Sequence, residues 1–203
     1  MKKLGPEFYS QTDVVAVARQ LIGKIVVTNF DGFVTSGRIV ETEAYVAFVD
    51  KASHAYRGKR TARNEHMYAG AGTAYVYICY GMHQMLNVVT NEKDVPDAVL
   101  IRALEPLQGV EIMLERTGKL KPDFTLTRGP GNVAKALGIF KKHSGLLLTQ
   151  ELLFITEDEE YEISDEIITA GLRIGIDSAG QDAALPYRFF LKGNKYVSGK
   201  IRI

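Results

Sequence analysis

Apolar residues recur along this chain with two periods, and the switches between them outline its elements. Val14, Val17, Ala18, Leu21 and Ile22 fall three and four apart, the stripe of a helix that lies on a core. Ser10-Gln11-Thr12-Asp13 ahead of it has the form of a capping box, and Gly23 closes it. Lys24 to Thr28 reads as a strand, and Asn29-Phe30-Asp31-Gly32 carries the Asp-Gly signal of a hairpin turn. Phe33 to Tyr45 then alternates as the second arm. Thr73 to Tyr80 and His83 to Thr90 alternate again around Gly81-Met82, where glycine allows a tight reversal. Asp97 to Leu104 is a mainly apolar strand interrupted by Arg102, and Glu105-Pro106 predicts a helix with proline in its first turn, running to Arg116 and ending at Gly118. Arg128 to Gly138 is a glycine-rich turn feeding a short helix. Ala170 to Asp177, Pro186 to Lys192 and Tyr196 to Gly199 read as further strands.

These elements predict one α+β domain over 1–203: a curved, largely antiparallel β-sheet with peripheral helices and a protruding β-hairpin tipped by Tyr80. No repeat, low-complexity linker or break in composition marks a second domain. At 203 residues the chain is long enough to bury a real core, and 46% apolar with 24% charged residues is ordinary for a globular protein. One cysteine, Cys79, excludes an internal disulfide framework and fits a reducing compartment. The amino-terminal residues carry positive charge but no apolar run, so no signal peptide is read and a cytoplasmic location is expected. His66 to Asn91 holds no charged residue except histidine, yet it is too rich in Tyr, Gly, Gln and Asn for a membrane span.

The net charge of +1 hides a segregation. Lys51 to Gly70 carries Lys51, Arg57, Lys59, Arg60 and Arg63 against Glu65, and Arg116 to Lys142 carries seven cations against Asp123. Arg188, Lys192, Lys195, Lys200 and Arg202 add to the basic side, while the acids gather between Glu151 and Asp182, above all in Glu157-Asp158-Glu159-Glu160. A chain divided in this way can turn one positive face to a polyanion.

Candidate chemistry centres on Val40-Glu41-Thr42-Glu43-Ala44-Tyr45. In a strand Glu41, Glu43 and Tyr45 share a face, so two carboxylates stand beside an aromatic ring where the strand runs out. Arg102, a guanidinium inside an apolar strand, needs a carboxylate, and Glu43 or Glu41 is the natural one. His54 lies in a long exposed loop, Asn87 is a mid-strand amide in need of a partner, and Tyr80 puts a large ring at a hairpin tip. The free amides that start the Arg128-Gly129-Pro130-Gly131 helix, with Lys135 a turn further on, are a candidate phosphate site. The Gly-Lys-Ser/Thr ending of a nucleotide-binding loop is absent, and the histidines and Cys79 show no metal-ligand spacing, so neither cofactor nor metal is expected.

Taken together, Arg38 to Tyr45, the Ser53-His54 loop with Arg63-Asn64, and Gly72 to Met82 resemble the 3-methyladenine (alkylpurine) DNA glycosylase family. Leu100 to Leu107, Arg128-Gly129-Pro130-Gly131 and Arg173-Ile174-Gly175 continue the resemblance in the family's order, leaving Lys141 to Thr169 poorly matched. The resemblance implies that Glu43 is a general base that activates water, with Arg102 and the main-chain carbonyl of Ile174 holding that water. It implies that Tyr45 and Tyr77 sandwich a flipped purine, that His54 donates to it, and that Asn87 crowds the 2-amino group of guanine. Tyr80 resembles the wedge that fills the gap in the duplex. At position 83 a histidine stands where the family's aromatic ring is expected. The implied partner is double-stranded DNA with damaged purines, with no obligate protein partner; 3-methyladenine, 7-methylguanine and hypoxanthine are the implied lesions.

A base inside a duplex must be extruded before it is reached, at a cost of about a few kcal/mol. Stacking on aromatic rings returns roughly 1–3 kcal/mol per base. Water as nucleophile implies release of the base without strand cleavage. Two other readings use the same residues: a non-catalytic nucleic-acid binder on the basic face, and a glycosidase with Glu41 and Glu43 as its carboxylate pair.

Overall fold

The computed structural model describes residues 2–159, 161 and 163–199; Glu160, Lys200 and Arg202 of the charge runs lie outside them. In chain order the first elements are α1 (Pro6–Tyr9), α2 (Val14–Gln20), β1 (Ile25–Phe30), β2 (Phe33–Tyr45), β3 (Ala74–Cys79), β4 (His83–Thr90) and β5 (Asp97–Gln108). There follow α3 (Val110–Thr117), α4 (Pro130–Leu137), β6 (Leu153–Thr156), β7 (Ile168–Gly171) and β8 (Arg188–Leu191). The strands form one open sheet in the order β3-β4-β5-β2-β1-β6, with β8 joined to β2 and β7 to β8. Every pairing between these strands is antiparallel, as the short connections between alternating runs imply.

β2 is the strand everything else shares. Its first half pairs with β1 through Arg38, and its second half pairs with β8 at Glu41 to Glu43. Between them the register against β5 slips twice: Val40 is extra on β2, and Arg102 is extra on β5. Such bulges bend a strand and re-aim side chains. Here they deliver Arg102 to the face that carries Glu41 and Glu43.

The two faces of the sheet differ. Val14, Val17 and Ala18 of α2 and Val133, Ala134, Ala136 and Leu137 of α4 pack with Ile39, Val40, Val76, Leu86 and Val88 in the main core. Each fully buried Val or Leu there contributes about 1.5–3 kcal/mol. The opposite face carries a small cluster, Ala55, Met67, Tyr68, Tyr75, Val89 and Ala98, roofed by the 50–70 loop. Stability rests on the helical face, which leaves the loop face to polar chemistry.

Four expectations change. Ser10 follows α1 as its C-cap, and the cap of α2 is Asp13, whose carboxylate accepts from the Val15 and Ala16 amides at 3.0 Å each. Glu105-Pro106 does not start a helix: β5 continues to Gln108. Proline survives there because β4 pairs only as far as Leu100 and the register shifts beside Gly37, so no ladder bond needs its missing N–H. The helix begins after Gly109 (φ 72°), where a Cβ would lie 2.4 Å from the Val34 carbonyl oxygen. Strand β7 stops at Gly171, and Tyr196 to Gly199 forms no strand. Both segments bond instead to buried side chains of the site.

Candidate active site

Glu43 is fully buried, and three donors converge on it. Oε1 accepts from the Ile174 amide at 2.7 Å; Oε2 accepts from the Tyr45 hydroxyl at 2.8 Å and from Arg102 Nη1 at 3.2 Å. A carboxylate offers roughly four lone-pair positions, and these three donors leave one acceptor position on Oε1 without a hydrogen bond among the described residues. The contact to Ile174 runs through its N–H, a donor the expected carbonyl contact did not include. Burial, then Glu43 itself, raises the Tyr45 pKa well above the ordinary range, so Tyr45 stays a neutral donor. Burial also works to lower the pKa of Arg102, but Glu43 and Glu41 outweigh it, and the guanidinium stays charged.

Glu41 is consumed in holding this arrangement. Its Oε1 accepts from Arg102 Nε at 3.0 Å, Arg188 Nε at 2.7 Å and Ser198 Oγ at 3.0 Å, and its Oε2 from the Ser198 amide at 2.7 Å. Arg188 Nη2 in turn donates to the Ser198 carbonyl at 2.6 Å. Two acids and two arginines thus neutralise one another inside the protein, and no second carboxylate is left for a glycosidase pair. Sequence pairing of Arg102 with either acid was half of the picture; Arg188 and Ser198, which complete it, sit some hundred and fifty residues further on and gave no local signal.

Beside this cluster opens a cavity of about 240 Å³, lined among others by Tyr45, His54, Tyr75, Tyr77, Asn87 and Ile176. Tyr45 joins the two: its ring lines the cavity and its hydroxyl touches Glu43. The alternation of β3 puts Tyr75, Tyr77 and Cys79 on the cavity side. Asn87 pairs across from Tyr75, and its Nδ2 donates to the Tyr75 carbonyl at 3.2 Å. Tyr77 stands 5.5 Å from Tyr75 in a stacked pair and meets the His54 ring edge-on at 4.6 Å. Burial, helped by Cys79 and Glu43, pushes the Tyr77 pKa up to about 12.

His54 does come back to this face. Its Nδ1 lies 2.9 Å from the hydroxyl of Tyr75. Burial, with Arg63 and Lys59 nearby, lowers the His54 pKa to about 4. Since this lies below the ordinary value of about 6.5, the unfolded chain takes up the proton first as pH falls. Stability is therefore fully present above about pH 6.5 and is lost as pH drops toward 4. His54→Gln removes that loss, so the Tm gap between wild type and variant is expected to shift in the variant's favour on acidification from pH 7.5 to 4.5. A pH-independent gap would show that burial does not hold His54 neutral.

Tyr80 occupies the hairpin tip, 86% exposed and at φ 50°, with Gly81 at φ 73° and Met82 72% exposed beside it. The phosphate-site candidates do not assemble. Gly131 packs under His83, whose Nδ1 would be 2.9 Å from an added Cβ, and Arg128 Nη2 donates to the Lys195 carbonyl. Lys135 lies in the last turn of α4 and donates to the Thr117 carbonyl at 3.1 Å, away from the helix start.

The charge runs resolve in space. Acids pair along the β1–β6 side, Glu157 with Lys24, Asp158 with Arg38, Glu151 with Lys3. Among the described residues Lys51 and Arg63, which line the cavity, and Lys59, which lines an adjoining pocket with them and His54, form no salt bridge. No helix among the described residues is long and apolar enough to cross a membrane.

Residues 7–195 match the family model described as methylpurine-DNA glycosylase (MPG). A protein of Clostridium perfringens (strain 13 / Type A), provisionally named a 3-methyladenine DNA glycosylase, is 44% identical over 98% of this chain and 100% of its own length. Proteins with the same provisional name from Desulfitobacterium hafniense (strain Y51) and Chlamydia pneumoniae are each 46% identical over 98% of this chain, and over 100% and 98% of their own lengths.

Proposed function

We propose that this chain, which belongs to the methylpurine-DNA glycosylase family, excises alkylated and deaminated purines from duplex DNA by attack of a Glu43-held water on the anomeric carbon. Membership makes it a 3-methyladenine-type DNA glycosylase acting in DNA repair; the lesion range and the residue roles are this proposal. It rests on one observation above others: a buried carboxylate held by three donors and joined through the Tyr45 hydroxyl to a cavity lined by tyrosines.

In this reading Glu43 takes the proton of the water as its oxygen bonds to the anomeric carbon and the base leaves with the electrons of the N-glycosidic bond. Arg102 compensates the carboxylate and helps aim the water, together with the Ile174 main chain. Tyr45 and Tyr77 receive the purine on their faces, which suits the positive charge of 3-methyladenine or 7-methylguanine. With Tyr75 donating to His54 Nδ1, the neutral ring carries its proton on Nε2 and offers it to the base. In this scheme Asn87, whose Nδ2 donates to the Tyr75 carbonyl, has the task of crowding the 2-amino group of a normal guanine.

Tyr80 takes the duplex end of the task. A bulky residue at positive φ on an exposed tip costs about 1–2 kcal/mol and gains no packing, a combination found where a side chain serves a partner. Tyr80→Gly relieves that strain, so its Tm is expected to match or exceed wild type. Loss of one stacking contact predicts a drop of about tenfold or more in lesion-duplex affinity; unchanged affinity in a binding titration removes Tyr80 from the interface. The reading as a whole is tested by incubating the protein with methylated duplex DNA and with a duplex carrying hypoxanthine. Free methylpurine and free hypoxanthine are expected, and release of neither overturns it.

A further inference from the structure

Arg173 and Asp50 form a bidentate ion pair, Nη1 to Oδ2 at 2.5 Å and Nη2 to Oδ1 at 3.0 Å, with side chains 0% and 1% exposed. Such a pair is weak grounds for stability, because replacing one by well-packed apolar residues is often neutral or stabilising. Its geometry is more informative. Arg173 Nη1 also donates to the Ala44 carbonyl at 2.9 Å, between Glu43 and Tyr45, and Nη2 to the Asp182 carbonyl at 3.0 Å. The guanidinium lies over the Tyr45 ring at 4.9 Å, backing the residue that touches Glu43.

The peptide that follows Arg173 supplies the Ile174 amide to Glu43 at 2.7 Å. Asp50 opens the turn that leads to His54: its Oδ1 accepts from the Ala52 amide at 2.9 Å and its carbonyl from the Ser53 amide at 3.0 Å. The neighbouring Lys51 amide donates to Asp182 Oδ2 at 2.9 Å. Three separate wall segments, those of Tyr45, His54 and Ile174, therefore meet on one planar, five-donor group whose shape an ammonium does not reproduce.

We infer that the buried Arg173–Asp50 pair is the positioning element of the site, fixing Tyr45, the Ile174 amide and the His54 loop relative to Glu43. This rests on the glycosylase reading and deepens it, since Arg173 touches neither base nor water in that scheme and acts through the groups it holds. A displacement of about 1 Å among reacting groups costs on the order of a hundredfold in rate. Loss of the fork is therefore felt in the chemical step, while the hairpin that engages the duplex is untouched.

The test compares wild type, Arg173→Lys and Asp50→Asn in single-turnover base release from a hypoxanthine duplex, with enzyme concentration varied. Both variants are expected to lose about 10- to 100-fold in the limiting rate, with half-saturating enzyme concentration within about twofold of wild type. A merely structural pair lowers Tm and the fraction of active enzyme and leaves the rate of that fraction unchanged; this result overturns the inference, as does a wild-type rate in either folded variant. Should Arg173→Lys fail to fold, Asp50→Asn and the paired Asp50→Asn/Arg173→Gln variant carry the same reading. If wild type itself releases no base, the glycosylase reading fails first and takes the inference with it. A wild type that releases base beside variants of equal rate sinks the inference alone.

Discussion

Glu41→Ala is expected to destabilise the protein by about 3–5 kcal/mol, the cost of breaking a buried ion pair by removing one partner. Four donors on two arginines and Ser198 lose their acceptor at once, and Arg188 is fully buried with no route to water. With total stabilities of about 5–15 kcal/mol, this is a large share of what the fold has. Urea unfolding followed by circular dichroism measures it. A loss below about 1 kcal/mol, the range of exposed pairs, would mean that Glu41 does not anchor Arg102. Glu41→Gln is milder but not neutral, because its amide brings two donors into a cluster that needs acceptors.

Glu43→Gln is expected to lower base release by about 10²–10⁴-fold, the usual contribution of a positioned general base, with lesion-duplex affinity nearly unchanged. The substitution keeps the shape but cannot keep the bonding. If the amide oxygen faces Arg102 and Tyr45, its NH₂ meets the Ile174 N–H; reversed, it meets the guanidinium. One donor is left opposed either way, at about 1–3 kcal/mol. The variant is thus slightly less stable, and its Tm is recorded beside its rate. Tight binding with rates within about tenfold of wild type, short of that range, would assign the base to another group.

Much of this arrangement was legible in the residues, for physical reasons. Period-two alternation over Phe33 to Tyr45 and around Gly81 gave β2, β3 and β4 to within a residue or two, because each strand buries one face against helices and shows the other to the loops. A guanidinium in an apolar strand had to be paired, and Arg102 is, to both acids at once. The failures share a cause. Pro106 suggested a helix start because local chemistry cannot show that the pairing of β4 with β5 ends at Leu100, before the proline is reached. Tyr196 to Gly199 suggested a strand, yet the Ser198 amide donates to Glu41, far away in sequence, the Ser198 carbonyl accepts from Arg188, and the Tyr196 and Val197 amides turn back on Asn194. The pairing of Arg173 with Asp50 was likewise invisible: Arg173 stood out only as part of a matching motif, and an aspartate in a loop does not name its partner until the fold brings the two together. Lys135 fell about one turn into its helix in the sequence, but α4 is so short that one turn in is already its C-terminal end.

What one turnover leaves behind tests the central claim most directly. Wild-type protein is incubated in excess with a duplex carrying a single hypoxanthine, borohydride is added to one half, and the products are resolved by mass. Attack by water held at Glu43 predicts free hypoxanthine and an unbroken strand with one abasic site, with no protein joined to DNA in either half. A borohydride-trapped protein–DNA adduct, or bound duplex with its base still in place, would contradict it.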